Sequence, residues 1–321
     1  MSALLREGMK QHLYAELCEA LRPPQPSGAP RRMVDMAGLS EVARRMQPWV
    51  SYDTLLSIYN QLHQAEAKEV DSTMKAGVRT WLREYQGGVD MATIAAREGF
   101  SPCNLARLLL RNLVDLPDSK QAGKDVTHFI RDPSLLPCRR LGENVRRCVE
   151  SDWQNSPRAE VTKRTVGLEY EYVLAERLSN AGLAFSTEDK LRGEGKAVTP
   201  DVKLVVPVSI DGHIVHWIDS KAMFGSEETH VRYTEDQYQR YVNRYGDGLV
   251  IYWFDFVDHL NWDEAAAPTA SAPAEMGASA QSVRGGAPPQ DMAGRHDQNT
   301  PVAHPGVYCV REFPLEFLLP T

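Results

Sequence analysis

The chain has no apolar run near the ~20 residues that a membrane-spanning helix needs. Its first residues are mixed and charged (Arg6, Glu7, Lys10), unlike a secretory leader. The five cysteines (Cys18, Cys103, Cys138, Cys148, Cys309) are odd in number, scattered and without a CxxC pair. That excludes a disulfide framework or a thiolate zinc site as the organising feature and points to a reducing compartment. A basic excess is also lacking, because the net charge is -7. The charge is uneven: residues 1–150 hold 21 Lys+Arg against 18 Asp+Glu, and residues 151–321 hold 15 against 25. Charge alone therefore gives no support for nucleic-acid binding, although a local basic patch would suffice for phosphate contacts.

The 321 residues, 42% of them hydrophobic, can build two modest cores. We read residues 1–150 as a helical region and 151–321 as an α/β domain. Residues 22–32 are rich in Pro and Gly and read as a linker. Two helix-turn-helix-like units follow, at 33–61 and 90–114. In the first, Val42, Ala43 and Met46 suit an apolar face, Gln47-Pro48 breaks it, and Ser51 can cap a second helix carrying Leu55, Leu56 and Tyr59. In the second, Gly99 suits a turn with positive φ, Ser101 an N-cap and Pro102 the first helical position. Leu105, Leu108, Leu109 and Leu113 then repeat at helical spacing, with Arg97, Arg107 and Arg111 around them. A DNA recognition helix and a plain helical bundle both fit this pattern. Arg139, Arg140, Arg146 and Arg147 form a basic cluster that suits a phosphate-contacting surface or a solvated helix face.

From Val166 the pattern becomes α/β. A helix is expected over 167–181, with Leu174, Ala175 and Leu178 on one side and Gly182 after it. An apolar strand over 202–210, a turn at Asp211-Gly212 and a returning strand over 213–219 make a hairpin. A polar, aromatic-rich helix over 228–244, a buried strand over 248–257 and an edge strand over 307–313 complete the pattern. Residues 263–306, rich in Ala, Pro, Gly and Ser, read as a disordered insertion.

The chemistry concentrates in this half. A hairpin brings the start of one strand beside the end of the other. Asp201 heads the first strand behind Pro200, and Asp219 ends the second. The two carboxylates can meet at the open end, with a bulge absorbing their small offset. Asp219 and Lys221 are two apart and so share a face. Two hard oxygen ligands beside a cation suit Mg²⁺ or Mn²⁺ and phosphodiester hydrolysis, with the Ser220 carbonyl as a further ligand. Glu169 and Glu171 on the preceding helix can complete the metal shell. Gln237 and Tyr241 lie four apart on the following helix. His213, His216 and His230 are weaker candidates, since scattered histidines are more often structural.

This order of motifs resembles the PD-(D/E)xK nuclease superfamily. That implies a restriction-endonuclease-like mixed sheet flanked by helices, with catalytic Asp201, Asp219, Lys221 and Glu171, and Glu169 in reserve. Gln237 and Tyr241 resemble the Q-x-x-x-Y pair of the RecB-like branch, which supports the site or positions DNA. A closer resemblance rests on GLEYE at 167–171, LRGEG at 191–195, TPDV at 199–202, GHIVHWIDSKA at 212–222, DQYQRYVNRYG at 236–246 and GLVIYWF at 248–254. Together with LARLLL at 105–110 and RDPS at 131–134, these are similar to the codanin-interacting nuclease family. The resemblance implies a Mg²⁺- or Mn²⁺-dependent nuclease acting on DNA, with RNA the other candidate. It also implies a codanin-like partner and a place in nucleus and cytoplasm. The alternative it leaves is a nuclease fold without activity that holds codanin or nucleic acid. The 263–306 stretch departs from the family pattern, where a shorter connection is expected.

Overall fold

The computed structural model describes residues 8–24, 33–74, 77–114, 119–210, 212–261 and 306–311. The insertion read at 263–306 lies, but for Gly306, outside the described residues, as does most of the linker at 22–32. Among the described residues no helix is long and apolar enough to cross a membrane.

Three helices, α1 (Gln11–Leu21), α2 (Met36–Met46) and α3 (Tyr52–Met74), open the chain. Then come α4 (Val78–Gln86), α5 (Met91–Glu98), α6 (Pro102–Leu113), α7 (Ser119–Arg131) and α8 (Arg139–Ser151). The two expected helix pairs are present, α2–α3 and α5–α6. Gly99 closes α5 at φ +68°, a conformation that costs a side-chain-bearing residue energy. Ser101 caps α6 by accepting from the Asn104 N–H, with Pro102 in the first turn.

The helical region does not form one body ending near residue 150. Helices α4 to α8 share one core, built on Trp81, Met91, Leu105, Leu109, Val126, Leu141 and Val145. Helices α1 to α3 form a second core, and that core includes Phe224 and Val257 from the α/β half. The Ser57 hydroxyl accepts from the Phe224 N–H at 2.8 Å, and the Gln61 amide donates to the Phe224 carbonyl at 2.7 Å. Composition gives no hint of this division, because cores are set by which faces meet.

Helix α9 (Pro157–Asn180) begins ten residues before the expected start. Ser156 caps it and Pro157 takes the first turn. Its first turns carry Lys163, Arg164 and Thr165 on exposed positions, so apolar periodicity could not reveal them. The sheet follows: β1 (Phe185–Thr187), β2 (Val202–Ile210), β3 (His213–Lys221), β4 (Gly248–Tyr252) and β5 (Val307–Val310), in that spatial order. The first two pairings are antiparallel and the last two parallel. A short helix, α10 (Glu188–Gly193), follows β1. The crossover from β3 to β4 runs through α11 (Glu227–Tyr233), a π-helical turn (Thr234–Tyr238) and α12 (Gln239–Tyr245). The single helix expected over 228–244 is thus interrupted. The strand expected over 248–257 stops at Tyr252 and turns at Asp255, whose φ is +73°.

Helices cover both sheet faces. Leu174 and Leu178 of α9 pack on Val202, Leu204, Val215, Ile218 and Ile251. On the other face Trp217, Val250 and Tyr252 meet Tyr238 and Tyr241. Gly248 lets β4 close against β3, since a Cβ there would fall 2.0 Å from the Trp217 ring.

One buried carboxylate fixes the link between α8 and α9 to the start of α6. Asp152 Oδ2 accepts from the Ser101 hydroxyl and the Cys103 N–H at the N-terminus of α6, and Oδ1 accepts from the Gln154 and Asn155 N–H groups. The positive end of the α6 dipole favours this charge. Asp152→Ala strands several of these donors and should lower the unfolding free energy by about 2–4 kcal/mol. Urea denaturation measures it.

Candidate metal and active site

The β2–β3 register builds the site. Val202 pairs with Ile218 and Lys203 with Trp217, but the next pair in register is Val208 with Val215. Four residues of β2 therefore stand opposite His216 alone. This bulge takes up the unequal distance of Asp201 and Asp219 from the turn, so the two residues come level at the open end of the hairpin.

Alternation then sorts the side chains. Ile218 faces α9, and Trp217 faces α12. Asp219 and Lys221 share the face of Trp217, and Asp201, adjacent to α9-facing Val202, shares it too. Ser220 faces the α9 side, where its hydroxyl accepts from the Trp253 indole N–H at 2.8 Å.

Asp201 Oδ2 accepts from the Ser220 N–H at 2.7 Å. A strand residue aims its N–H and C=O at the same neighbour, so the Ser220 carbonyl faces the same edge. Asp219 is 1% exposed. Its Oδ2 receives no well-directed hydrogen bond and is contacted by the Lys221 ammonium. The ammonium also donates to Gln237 Oε1 at 3.4 Å and sits 4.8 Å from the Tyr233 ring centre.

Burial, and then repulsion from Asp219, push the Asp201 carboxyl well above the usual range. Burial works to lower the Lys221 ammonium, but Asp219 and Asp201 together outweigh it and raise it. Two carboxylates and one ammonium leave a surplus of negative charge, so the pocket draws in positive charge. A proton on Asp201 meets that demand, and a divalent cation would meet it more completely. The donor set of Asp201, Asp219 and the Ser220 carbonyl fits a hard cation that keeps several waters.

Glu171 is exposed on α9, the helix over the opposite face. Burial first, then Glu188 and Asp219, raise its pKa, so it stands within electrostatic reach of the pair at the open end. Glu169 is exposed on the same helix. Among the described residues no three His, Cys, Asp or Glu side chains converge as a metal cluster. Gln237 reaches Lys221, and the Tyr241 hydroxyl donates to the Thr199 carbonyl at 3.3 Å, two residues before Asp201. The histidines lie elsewhere: His230 is buried against the Tyr252 hydroxyl, His216 lies near the Asp247 carbonyl, and His213 contacts Tyr308.

Sequence reading missed Glu188 and Tyr233. The Glu188 N–H donates to the Asp201 carbonyl, and its carboxylate accepts from the Thr199 hydroxyl at 3.2 Å. Thr187 as N-cap was the available signal for α10. The π-helical turn, which brings Gln237 to Lys221 beside the Tyr233 ring, had no signal in spacing.

Several arginines of the expected DNA-reading surfaces form ion pairs. Only Arg111 and Asn112 of α6 are exposed. Arg97 pairs with Glu84 and Glu98, and Arg107 with Glu160. In the basic cluster Arg139 pairs with Glu143, Arg146 with Glu150 and Arg147 with Asp90, while Arg140 donates to the Tyr85 carbonyl.

Residues 137–270 match the family described as "Protein of unknown function TPD sequence-motif". CDAN1-interacting nuclease 1 of Xenopus laevis is 38% identical over 224 residues, 67% of this chain and 74% of that protein. The Homo sapiens protein of that name is 35% identical over 224 residues, 67% of this chain and 80% of its own. The chain belongs to the CDAN1-interacting nuclease family. The Danio rerio member is 34% identical over 218 residues, 65% of this chain and 73% of that protein. No solved structure matches the chain. In this family member the carboxylate pair lies inside the matched segment, 137–270.

Asp201→Asn keeps an acceptor for the Ser220 N–H and removes a carboxyl that folding makes harder to ionise. It should raise the melting temperature of metal-free protein at pH 7. The gain should shrink as pH falls from the raised folded-state pKa toward the ordinary carboxylate range, and vanish once the unfolded chain also binds the proton. Calorimetry across that range reads both effects.

Proposed function

We propose that this chain is a divalent-metal-dependent nuclease with a restriction-endonuclease-like, PD-(D/E)xK core, hydrolysing phosphodiester bonds in DNA. The observation that carries the reading is the convergence of Asp201, Asp219 and Lys221 at one end of the β2–β3 hairpin. The family's name supports nuclease activity, and the mixed sheet with helices on both faces suits such a core.

Asp201, Asp219 and the Ser220 carbonyl would hold Mg²⁺ or Mn²⁺. Such an ion, when bound, polarises the phosphodiester and acidifies a water. The side chains of this chain supply the rest. Lys221 is the cation nearest the carboxylate pair, and its exchange from Asp219 to a phosphate oxygen would place positive charge where negative charge develops. Gln237 limits the arc over which the ammonium moves. Glu171, at the solvent edge with a raised pKa, is suited to hold a water and take its proton at a carboxylate oxygen. Surface phosphate contacts would come from outside the carboxylate pair, with RNA as the other candidate substrate.

A second part of the proposal is a CDAN1-like partner, supported by the relatives' names. A different reading also has an observation behind it. The Lys221 ammonium closes on Asp219, and among the described residues no third carboxylate completes a cluster. That arrangement suits a nuclease fold which holds CDAN1 or nucleic acid without cleaving.

Cleavage assays over DNA and RNA of varied structure separate the two readings. Wild type with Mg²⁺ or Mn²⁺ should cleave, and Asp219→Asn and Lys221→Ala should each lose at least about a hundredfold. Equal behaviour of wild type and both variants would leave the non-cleaving reading. For the partner, full-length chain and CDAN1 should associate at micromolar concentration by calorimetry, and no heat at that concentration removes the claim.

A further inference from the structure

Gln237, Tyr241 and Tyr245 are spaced by four along the π turn and α12, so they form one stripe on one side of the helix. Each end of this stripe reaches a different arm of the site. Gln237 accepts from the Lys221 ammonium at 3.4 Å. The Tyr241 hydroxyl donates to the Thr199 carbonyl at 3.3 Å. The Tyr245 hydroxyl donates to the Val198 carbonyl at 2.6 Å, the shortest of the three bonds. Val198 and Thr199 belong to the segment between α10 and β2 that delivers Pro200 and Asp201. Trp217 backs the stripe, its ring edge-on to Tyr241 at 5.1 Å.

We infer that Tyr245 is a positioning residue of this site, which sets the place of the Asp201 carboxylate by holding the Val198 carbonyl. The inference rests on the reading of Asp201 as a metal ligand, but the tether itself stands on geometry alone. Asp201 lies before the first paired residue of β2, so the ladder does not fix its approach. Its backbone is held by the Glu188 N–H on one side. On the other side the segment is held by the two tyrosine hydroxyls. Because the same stripe grips Lys221, a displacement of α12 shifts the lysine arm and the aspartate arm together. The carboxylate and the ammonium thus keep their separation while β2 bulges just beyond them.

The test uses the full chain and Tyr245→Phe, which keeps the ring and removes only the hydroxyl. Tyr172→Phe, at an exposed position, is the control. Two readouts are taken. Hydrogen exchange of a peptide covering 194–201 should speed up in Tyr245→Phe by about three- to tenfold, as loss of one hydrogen bond implies, with no matching change in β4. Calorimetric Mn²⁺ titration should show the dissociation constant rising by a similar factor, about three- to tenfold. Unchanged exchange over 194–201 would overturn the tether, and so would faster exchange spread evenly through the sheet. Faster local exchange with an unchanged Mn²⁺ constant would overturn the positioning role. If wild type takes up no Mn²⁺, the metal reading of Asp201 fails and the positioning role falls with it, whatever the exchange data show.

Discussion

The site depends on one electrostatic constraint, a buried and a half-buried carboxylate side by side with a single ammonium to balance them. Asp201 and Asp219 would repel each other less if either stood in water. The bulge in β2 and the helix over Trp217 hold them together and keep water away. Such an arrangement costs stability, and its effect is an affinity for positive charge. Burial, and then the neighbouring Asp219, raise the Asp201 carboxyl and so favour a proton on it.

Much of the remaining structure acts on this pair. The sheet face decides which residues can join it, with Trp217, Asp219 and Lys221 to one side and Ile218 and Ser220 to the other. The α12 stripe holds the lysine arm and the Asp201 segment from the same face. Helix α3 clamps the chain just beyond Lys221 by bonding both the N–H and the carbonyl of Phe224. The front helices are therefore part of the framework under the site as well as a region in their own right. Several of their arginines form ion pairs, while Arg111 stays exposed on α6.

The hairpin and its carboxylates were legible because a strand pair with a marked turn obeys a simple count. The position of the turn and the distances of Asp201 and Asp219 from it required a bulge, and the bulge is there. Caps at Ser51, Ser101 and Gly99 were legible because they answer backbone needs that only a few residue types meet. Other features had no local signature. The early start of α9 lies on polar turns without an apolar period. The π turn comes from tertiary packing on Lys221 and Tyr252. Glu188 reaches Thr199 only because β1 pairs with β2. The side of the sheet that α9 covers follows from packing that spacing does not reveal. Nor could composition show that Phe224 and Val257 complete a core begun by Met9 and Leu17.

The most direct measurement is anomalous diffraction from crystals soaked in Mn²⁺. The expected result is a peak about 2.1 Å from oxygens of Asp201 and Asp219 and from the Ser220 carbonyl, with Lys221 moved off Asp219. Crystals saturated in Mn²⁺ that show no peak there, with the ammonium still on Asp219, would contradict the assignment of this pair as a metal site.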